Sequence, residues 1–452
     1  MKVKLSFAKG TILIRGDVST PFGRWDPRSN CYRALGCYYQ NILDYLNENN
    51  VHVEDLVLDL PPKQPLEKGR ITLYPFQEEA LKKWIQNRKR GVLCIATAGG
   101  KSFIGLKAIE ILEVPTLIVV PTLDLVDQWV QRVRDTFGIE VGVIGGGKHD
   151  VKFITVTTYD SAYIHAESIG NRFLFLILDE VHHAFAPGYV QILELFVAPY
   201  RMGLTSTLYR PDMRHLQYLH LVGGVVYEAP PEKLTGKYLA PYVHEKIFVE
   251  LTPEEKKFYD EQYGIFKSYL AREGITLKSP ADFQKLIIRS SYDPEAREAI
   301  LARNRAFKTA LNSEAKLQFL AKILSETSEK TIIFTLHNDL VYRISKKFLI
   351  PAITYKTPLK ERREILRKFK QGEYKVIVTS QVLDEGVDVP DASLGIILSG
   401  TGSPREFVQR LGRLLRKREG KVARLIEVIS KETSEMRLSR RRHKKVKYNV
   451  AE

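Results

Sequence analysis

The sequence predicts an α/β protein with two tandem parallel-sheet domains, a small α+β module ahead of them and a helical insert in the second. Two observations carry that prediction. Apolar runs of strand length alternate with helical stretches from Leu73 to about Val226, and the same rhythm returns from Thr331 to Val428. Between the two series, Pro253–Asn304 contains no strand-like run and carries aromatics at Phe258, Tyr259, Tyr263, Phe266 and Tyr269, which reads as helix. At 452 residues the chain accommodates about three domains of ordinary size.

The first segment reads as strands Lys2–Phe7 and Thr11–Arg15 joined by a Lys9-Gly10 turn, a loop carrying Trp25-Asp26-Pro27-Arg28, a helical stretch from Leu35 to Leu46 and a strand over Val53–Leu60. Pro61-Pro62-Lys63-Gln64-Pro65 can continue neither helix nor sheet and marks a linker. The expected organisation is therefore a module at 1–66, one parallel-sheet domain at 67–234 and a second at 235–452, with the insert at about 253–304. Strands are expected at Gly91–Ala96, Thr116–Val120, Phe153–Val156, Phe173–Leu178 and Arg201–Leu204 in the first domain. In the second they fall at Thr331–Phe334, Lys375–Val378, Leu394–Leu398 and Arg424–Val428.

Lysine and arginine outnumber acids 69 to 53, a formal charge of +16 that favours a polyanionic partner, since neutralising phosphates releases condensed counterions. No apolar run reaches the roughly 20 residues of a membrane span, and the start lacks the pattern of a signal peptide, so a cytoplasmic protein without a membrane role is expected. The three cysteines, Cys31, Cys37 and Cys94, form no C-x-x-C pair and read as buried thiols, not as zinc or iron–sulfur ligands.

Three motifs carry chemistry. Ile95-Ala96-Thr97-Ala98-Gly99-Gly100-Lys101-Ser102 lies between a strand-like run and a helical stretch at Phe103–Leu112. A loop there aims backbone N–H groups at phosphates, with Lys101 neutralising the terminal phosphates and Ser102 holding Mg²⁺. The strict phosphate-loop pattern has glycine where Ile95 stands, so a glycine turn before a solvated lysine is the plainer alternative. The second motif is the apolar run Phe173–Leu178, which ends in Asp179-Glu180-Val181-His182-His183. That delivers two carboxylates to the carboxyl edge of a parallel sheet, Asp179 for a metal held through water and Glu180 to deprotonate an attacking water. In the third motif, Phe407–Arg416, Arg413 and Arg416 share one helix face, where they could stabilise charge on a transferring phosphoryl group or form a salt-bridged surface.

Taken in order, Gln77, the Lys101 loop, Asp179-Glu180-Val181-His182, Thr205-Ser206-Thr207, the Val387-Asp388 region and Gln409–Arg416 resemble the motif series of superfamily 2 helicases over roughly residues 67–430. Asp179-Glu180-Val181-His182-His183 and the short first module are most similar to the archaeal branch of the xeroderma pigmentosum group B DNA-repair helicases. The resemblance implies tandem RecA-like domains with ATP in the cleft between them, a damage-recognition role for the first module and a thumb for the insert. It implies ATP and Mg²⁺ as cofactors, 3′ to 5′ movement on DNA, nucleotide excision repair, and a nuclease as partner.

Residue by residue, the resemblance puts Gln77, beside Tyr74, on the adenine edge, and brings Thr97, Ala98, Gly99, Gly100, Gly386 and Asp388 to the nucleotide. It makes Gln409, Arg413 and Arg416 catalytic, and gives His182, His183, Thr205, Ser206 and Thr207 the coupling of hydrolysis to movement. DNA contacts are implied for Pro121-Thr122, Thr157-Thr158-Tyr159, Arg210, Asp212 and Thr379-Ser380. One departure concerns Leu208-Tyr209-Arg210-Pro211-Asp212, where Pro211 replaces the acid of the family's Arg-Glu-Asp element and puts strand opening in doubt, while Arg210 and Asp212 retain its outer charges.

Trp25, with Arg24 and Arg28, reads either as a base-stacking group or as the core of the small module. The basic run of Arg437, Arg440, Arg441, Arg442, Lys444, Lys445 and Lys447 reads either as a phosphate contact or as a solvated tail. Two rival functions fit the same residues: an RNA-directed or restriction-type motor, and an ATP-gated DNA scaffold that holds a nuclease.

Overall fold

The computed structural model describes residues 2–16, 18–210, 212–380, 392–401, 403, 410, 412, 414 and 422–442, and divides the chain into two units, Met1–Leu239 and Ala240–Lys445. The division falls slightly after the expected 234–235 boundary. Thr235 bridges to Leu239, and Tyr238 packs on Tyr74 and Phe76, which keeps this segment with the first unit.

The first unit opens with β1 (Lys2–Ala8), β2 (Thr11–Arg15), β3 (Arg24–Asp26), β4 (Cys31–Leu35), α1 (Tyr39–Glu48) and β5 (His52–Leu56). They form one sheet in the order β3-β4-β2-β1-β5, with β1 and β5 parallel and the other pairs antiparallel. Alternate residues Val3, Leu5, Ile12 and Ile14 are buried together with Tyr39, Ile42 and Leu46 of α1, the period-two and period-3.6 patterns meeting in one core. The loop expected at Trp25 is instead the edge strand β3, with Trp25 opposite Tyr32. This small sheet docks against the domain that follows. A Cβ on Gly36 would lie 2.2 Å from the Leu195 carbonyl oxygen, and the Asn171 amide donates to the Val57 carbonyl at 2.7 Å.

The domain that follows contains α2 (Pro75–Gln86), β6 (Arg90–Ile95), α3 (Lys101–Leu112), β7 (Thr116–Val120), α4 (Leu123–Phe137), β8 (Gly142–Gly145) and β9 (Lys148–Asp150). It continues with β10 (Ile154–Thr158), α5 (Tyr159–Ile169), β11 (Phe175–Asp179), α6 (Val190–Leu195), β12 (Tyr200–Thr205), α7 (Arg214–Tyr218), β13 (Val225–Ala229) and α8 (Pro231–Leu234). The sheet order is β13-β6-β12-β11-β7-β10-β8-β9, parallel apart from the β8–β9 hairpin. Strands β7 and β10 are buried along their whole length and β11 up to its last residue, which is why they read in sequence as unbroken apolar runs. Strand β12 lies between β6 and β11 although it follows both in the chain, so the carboxyl ends of β6, β12 and β11 are neighbours at one edge.

The second unit contains β14 (Tyr242–Val249), α9 (Pro253–Arg272), α10 (Pro280–Arg289), α11 (Pro294–Leu311), α12 (Glu314–Glu326), β15 (Thr331–Phe334) and α13 (Asn338–Phe348). After these come β16 (Ala352–Ile353), α14 (Leu359–Gln371), β17 (Val376–Thr379), β18 (Leu394–Ile397), β19 (Ala423–Ser430) and α15 (Glu435–Arg442). Its sheet, β14-β19-β18-β15-β17-β16, is parallel at every described pair. Helices α9 to α11 are the expected insert, running on to Leu311 instead of stopping at 304. Each begins with a capping residue followed by proline, at Thr252-Pro253, Ser279-Pro280 and Asp293-Pro294. Tyr259, Phe266 and Tyr269 of α9 pack against alanines of α11, whose small side chains let the helices approach closely.

The basic run near the end is not simply a solvated tail. Its first part forms α15, and Arg442 is buried with its guanidinium on Glu427 and on the carbonyls of Gly400 and Thr401. Arg437, Arg440 and Arg441 are exposed, whereas Lys444, Lys445 and Lys447 lie outside the described residues. Cys31, Cys37 and Cys94 are buried free thiols, and burial pushes the Cys37 and Cys94 thiols up. Among the described residues, no helix is long and apolar enough to cross a membrane.

Candidate nucleotide and nucleic-acid site

The Lys101 loop connects the end of β6 to α3, which starts at Lys101, two residues before the expected helix. Ala98 and Gly100 adopt left-handed backbone conformations, with φ of 65° and 71°. A Cβ on Gly99 would lie 2.9 Å from the Ala96 carbonyl oxygen and 2.7 Å from Ile95 Cγ2, and one on Gly100 would displace the Gln77 amide, 2.5 Å from its Nε2. No side chain caps α3, and among its opening N–H groups Phe103 donates to the Gly100 carbonyl at 3.0 Å. Lys101 Nζ donates to the Ile95 carbonyl at 3.2 Å, and Thr97 Oγ1 is buried without a hydrogen-bond partner.

Gln77, 2% exposed, supports this loop from α2: Oε1 accepts the Tyr74 N–H at 2.8 Å, and Nε2 donates to the Gly99 carbonyl at 2.9 Å. Nε2 also lies 3.5 Å from the Gly100 carbonyl, and the amide keeps a second lone pair on Oε1 for an adenine edge. Tyr74 is exposed and stacks on Phe76, which gives this corner an accessible aromatic face.

Strand register brings the acids beside the loop. Leu204 pairs with Asp179 and Thr205 with Cys94, so the ends of β11, β12 and β6 lie side by side. Both carboxylate oxygens of Asp179 are held: Oδ2 accepts the Trp129 indole N–H at 2.8 Å and Oδ1 accepts the Glu180 N–H at 3.0 Å. The Asp179 carbonyl accepts the Tyr159 hydroxyl at 2.9 Å, and burial beside Asp179 and Glu180 raises the Tyr159 phenol far above its ordinary range, so it stays a donor. Glu180 sits at φ 47°, ψ 55°, a conformation costing a non-glycine residue roughly 1–3 kcal/mol. There its Oε2 lies 3.1 Å from the Thr205 hydroxyl, whose one proton is shared between this carboxylate and the Thr207 carbonyl at 2.8 Å. Thr205 Oγ1 is also 3.2 Å from His182 Nδ1 and accepts the Thr207 N–H at 3.2 Å, so one hydroxyl touches the acid, the histidine and the following turn. The His183 ring lies 4.4 Å from that of His182, and the Ser206 hydroxyl is buried without a hydrogen-bond partner. Ser102 Oγ accepts from Arg132 of α4 at 2.9 Å.

The expected DNA contacts divide. Thr122 and Thr158 cap α4 and α5 by accepting the N–H groups of Leu125 and Ser161, at the ends of the paired strands β7 and β10. Pro121 stands beside Thr122, half-buried. Thr157 does not reach the surface: it is buried, and its hydroxyl donates to the Ile144 carbonyl. Tyr159 is likewise buried against Asp179. Thr379 and Ser380 are both buried, with the Thr379 hydroxyl on the Ser380 carbonyl. Arg210 pairs with Asp212 through two N–H groups and donates to the His182 carbonyl at 2.8 Å, so this charged element is internally neutralised and fastened to the acid strand end. Trp25 is 52% exposed, edge-on to Tyr32, and so is not the core of its module. Pro211, Gly386, Asp388, Gln409, Arg413 and Arg416 lie outside the described residues.

Two side chains of the site carry no motif signal in the sequence. Trp129 and Arg132 both come from α4, where Val126, Trp129, Val133 and Phe137 are buried at the spacing of an ordinary amphipathic core stripe. Only the fold reveals that the indole N–H ends on Asp179.

Comparison with known proteins adds three matched families. Residues 5–57 match the xeroderma pigmentosum group B helicase damage recognition domain, 70–210 the type III restriction enzyme res subunit and 315–418 the helicase conserved C-terminal domain. The chain is 47% identical over 441 residues to a DNA 3′-5′ translocase XPB2 of Sulfurisphaera tokodaii, covering 97% of this chain and 99% of that one. It is 27% identical to a DNA 3′-5′ helicase XPB of Kineococcus radiotolerans over 80% of this chain and 60% of the relative. A further relative is the general transcription and DNA repair factor IIH helicase/translocase subunit XPB of Drosophila melanogaster, 27% identical over 91% of this chain and 50% of its own length. The solved helicase domain of Pyrococcus furiosus Hef shares the fold, with a TM-score of 0.50 at 19% identity over 80% of this chain and 96% of that domain.

Proposed function

This chain belongs to the xeroderma pigmentosum group B family of superfamily 2 DNA helicases and translocases, and we propose that its Lys101–Glu180–Thr205 cluster is the ATP-hydrolysing centre of a 3′ to 5′ motor on DNA. The observation that carries the proposal is the convergence of loop, acids and Thr205 at the carboxyl ends of three adjacent parallel strands, the edge where open α/β sheets bind ligands. Backbone N–H groups at the start of α3 and Lys101 hold the phosphates, with the unpartnered Thr97 hydroxyl beside them. The hard oxygen donors of Ser102, directly, and of Asp179, through water, suit Mg²⁺, which when bound would neutralise charge on the phosphate oxygens. Glu180 takes the proton of the attacking water. Thr205 passes the state of Glu180 to His182 and Thr207. Gln409, Arg413 and Arg416 keep the catalytic roles their motif implies. DNA phosphates are met by the N-termini of α4 and α5 at Thr122 and Thr158, not by Thr157. The setting is cytoplasmic DNA repair with a nuclease as partner, tested by co-purification of nuclease activity with the full-length chain.

Gln77→Glu should weaken nucleotide binding by about tenfold, because a carboxylate still accepts from Tyr74 but cannot donate to the Gly99 carbonyl. Nucleotide affinity within twofold of the natural chain would show that the loop does not depend on this amide.

The function itself is tested by ATPase assays with DNA or RNA added, beside displacement of a strand from forked duplexes. DNA should stimulate hydrolysis and RNA should not, and unaided strand displacement should be weak. Opening costs about 1.4 kcal/mol per base-pair step, while Arg210 and Asp212 neutralise one another. Pro211→Glu should raise strand displacement at nearly unchanged ATPase rate, with thermal melting as the folding control. Robust unwinding by the natural sequence, equal to that of the variant, would remove this element as the limit on opening.

A further inference from the structure

Helix α4 enters the catalytic centre through a residue with no role assigned above. Trp129 is fully buried, its indole lies under α3 where a Cβ on Gly105 would be 3.2 Å from Trp129 Cη2, and its N–H ends 2.8 Å from Asp179 Oδ2. The other carboxylate oxygen is held by the Glu180 N–H at 3.0 Å. Two donors on two oxygens fix the plane of the carboxylate, which the backbone donor alone leaves free to rotate about its Cβ–Cγ bond. One turn further along α4, Arg132 donates to Ser102 Oγ at 2.9 Å, so both oxygen donors proposed for Mg²⁺ are held from the same helix.

We infer that Trp129 is a positioning residue for the Asp179 carboxylate, holding it in the orientation that receives the Mg²⁺ of the nucleotide. The inference rests on the assignment of Asp179 to the metal side of the site, and its test separates the two. A ring of the same shape without the N–H would fill the same space under α3 but would let the carboxylate turn, so the loss falls on metal-dependent binding and spares packing.

The experiment replaces Trp129 in the full-length chain by phenylalanine and, separately, by 3-benzothienylalanine, which keeps the bicyclic shape and lacks the indole N–H. Binding of a fluorescent ADP is titrated against Mg²⁺, with binding in EDTA and thermal melting alongside. Both variants should need about tenfold more Mg²⁺ for half-maximal enhancement of nucleotide affinity, while affinity in EDTA stays within twofold of the natural chain. The benzothienyl variant should also melt close to the natural protein, and it decides the matter if Trp129→Phe does not fold. Asp179→Asn is the reference. If Asp179→Asn changes the Mg²⁺ requirement and the folded benzothienyl variant does not, Trp129 only fills space and the inference is overturned. If Asp179→Asn leaves the requirement unchanged, the metal assignment of Asp179 fails first. An equal loss of affinity with and without Mg²⁺ would also overturn the inference, because that is what general loosening of the fold produces.

Discussion

Glu180→Gln is expected to lower ATP turnover by roughly 10³-fold while leaving nucleotide affinity within a few-fold of the natural chain. The amide has nearly the volume of the carboxylate and can still accept the Thr205 hydroxyl, so the strained backbone at Glu180 and the neighbouring Asp179 keep their places. What disappears is the carboxylate proposed to take the proton from water. Lys101→Ala should stop turnover by another route, because removing a cation from the proposed phosphate loop weakens binding itself. Steady-state hydrolysis with saturating DNA, read beside a fluorescent-nucleotide titration, separates the two. Turnover by Glu180→Gln within tenfold of the natural rate would move the general base elsewhere and leave the Glu180–Thr205 contact as structure only.

The parts of the site that are legible in sequence are those whose chemistry needs a local pattern. A phosphate loop needs glycines next to a helix start, so Gly99-Gly100-Lys101 stands out as a candidate, and the close Ala96 carbonyl at Gly99 and the left-handed φ of 71° at Gly100 favour glycine at both. Asp179 and Glu180 are visible because an apolar strand running into two acids has few other uses. Short motifs whose meaning is side-chain direction are less legible. Thr157 and Thr158 are consecutive residues at the end of β10, so they point to opposite faces, one onto the Ile144 carbonyl inside and the other onto the first turn of α5. The same limit hides Trp129, whose spacing on α4 reads as core and whose N–H partner lies 50 residues away in the chain. Among the fold elements, β8, β9, β13 and β14 escape sequence reading because they are short or partly exposed edge strands whose apolar content is diluted. The helical insert is plain by contrast, since each of its three helices begins with a capping residue and proline.

Glu435→Ala is expected to destabilise the second unit by about 3–5 kcal/mol, a loss of about 10 °C in melting temperature for a domain of this size. Lys316 is 0% exposed and Glu435 1%, and the ammonium meets both carboxylate oxygens at 2.7 Å and the Leu398 carbonyl at 2.6 Å. Burial pushes the Lys316 ammonium down from its ordinary range, and the Glu435 carboxylate pushes back. Removing the carboxylate strands a buried cation and also takes the acceptor from the Ser430 N–H, which Glu435 binds at 2.9 Å. Lys316→Met combined with Glu435→Gln should recover much of the loss, since the amide can still accept from Ser430 and no charge is left buried. If the double variant is no more stable than Glu435→Ala, neither the unpaired ammonium nor the lost Ser430 contact carries the cost. The pair also decides how the basic run is to be probed. Truncation after Lys431 would remove Glu435 and Arg442 together, leaving Lys316 unpaired and Glu427 without its guanidinium. Any loss of DNA binding in that variant would then report on folding. Charge-removing substitutions at the exposed Arg437, Arg440 and Arg441 avoid this. If those arginines meet phosphate, each should make the slope of log K against log salt shallower by about 0.9 on duplex DNA while the melting temperature holds.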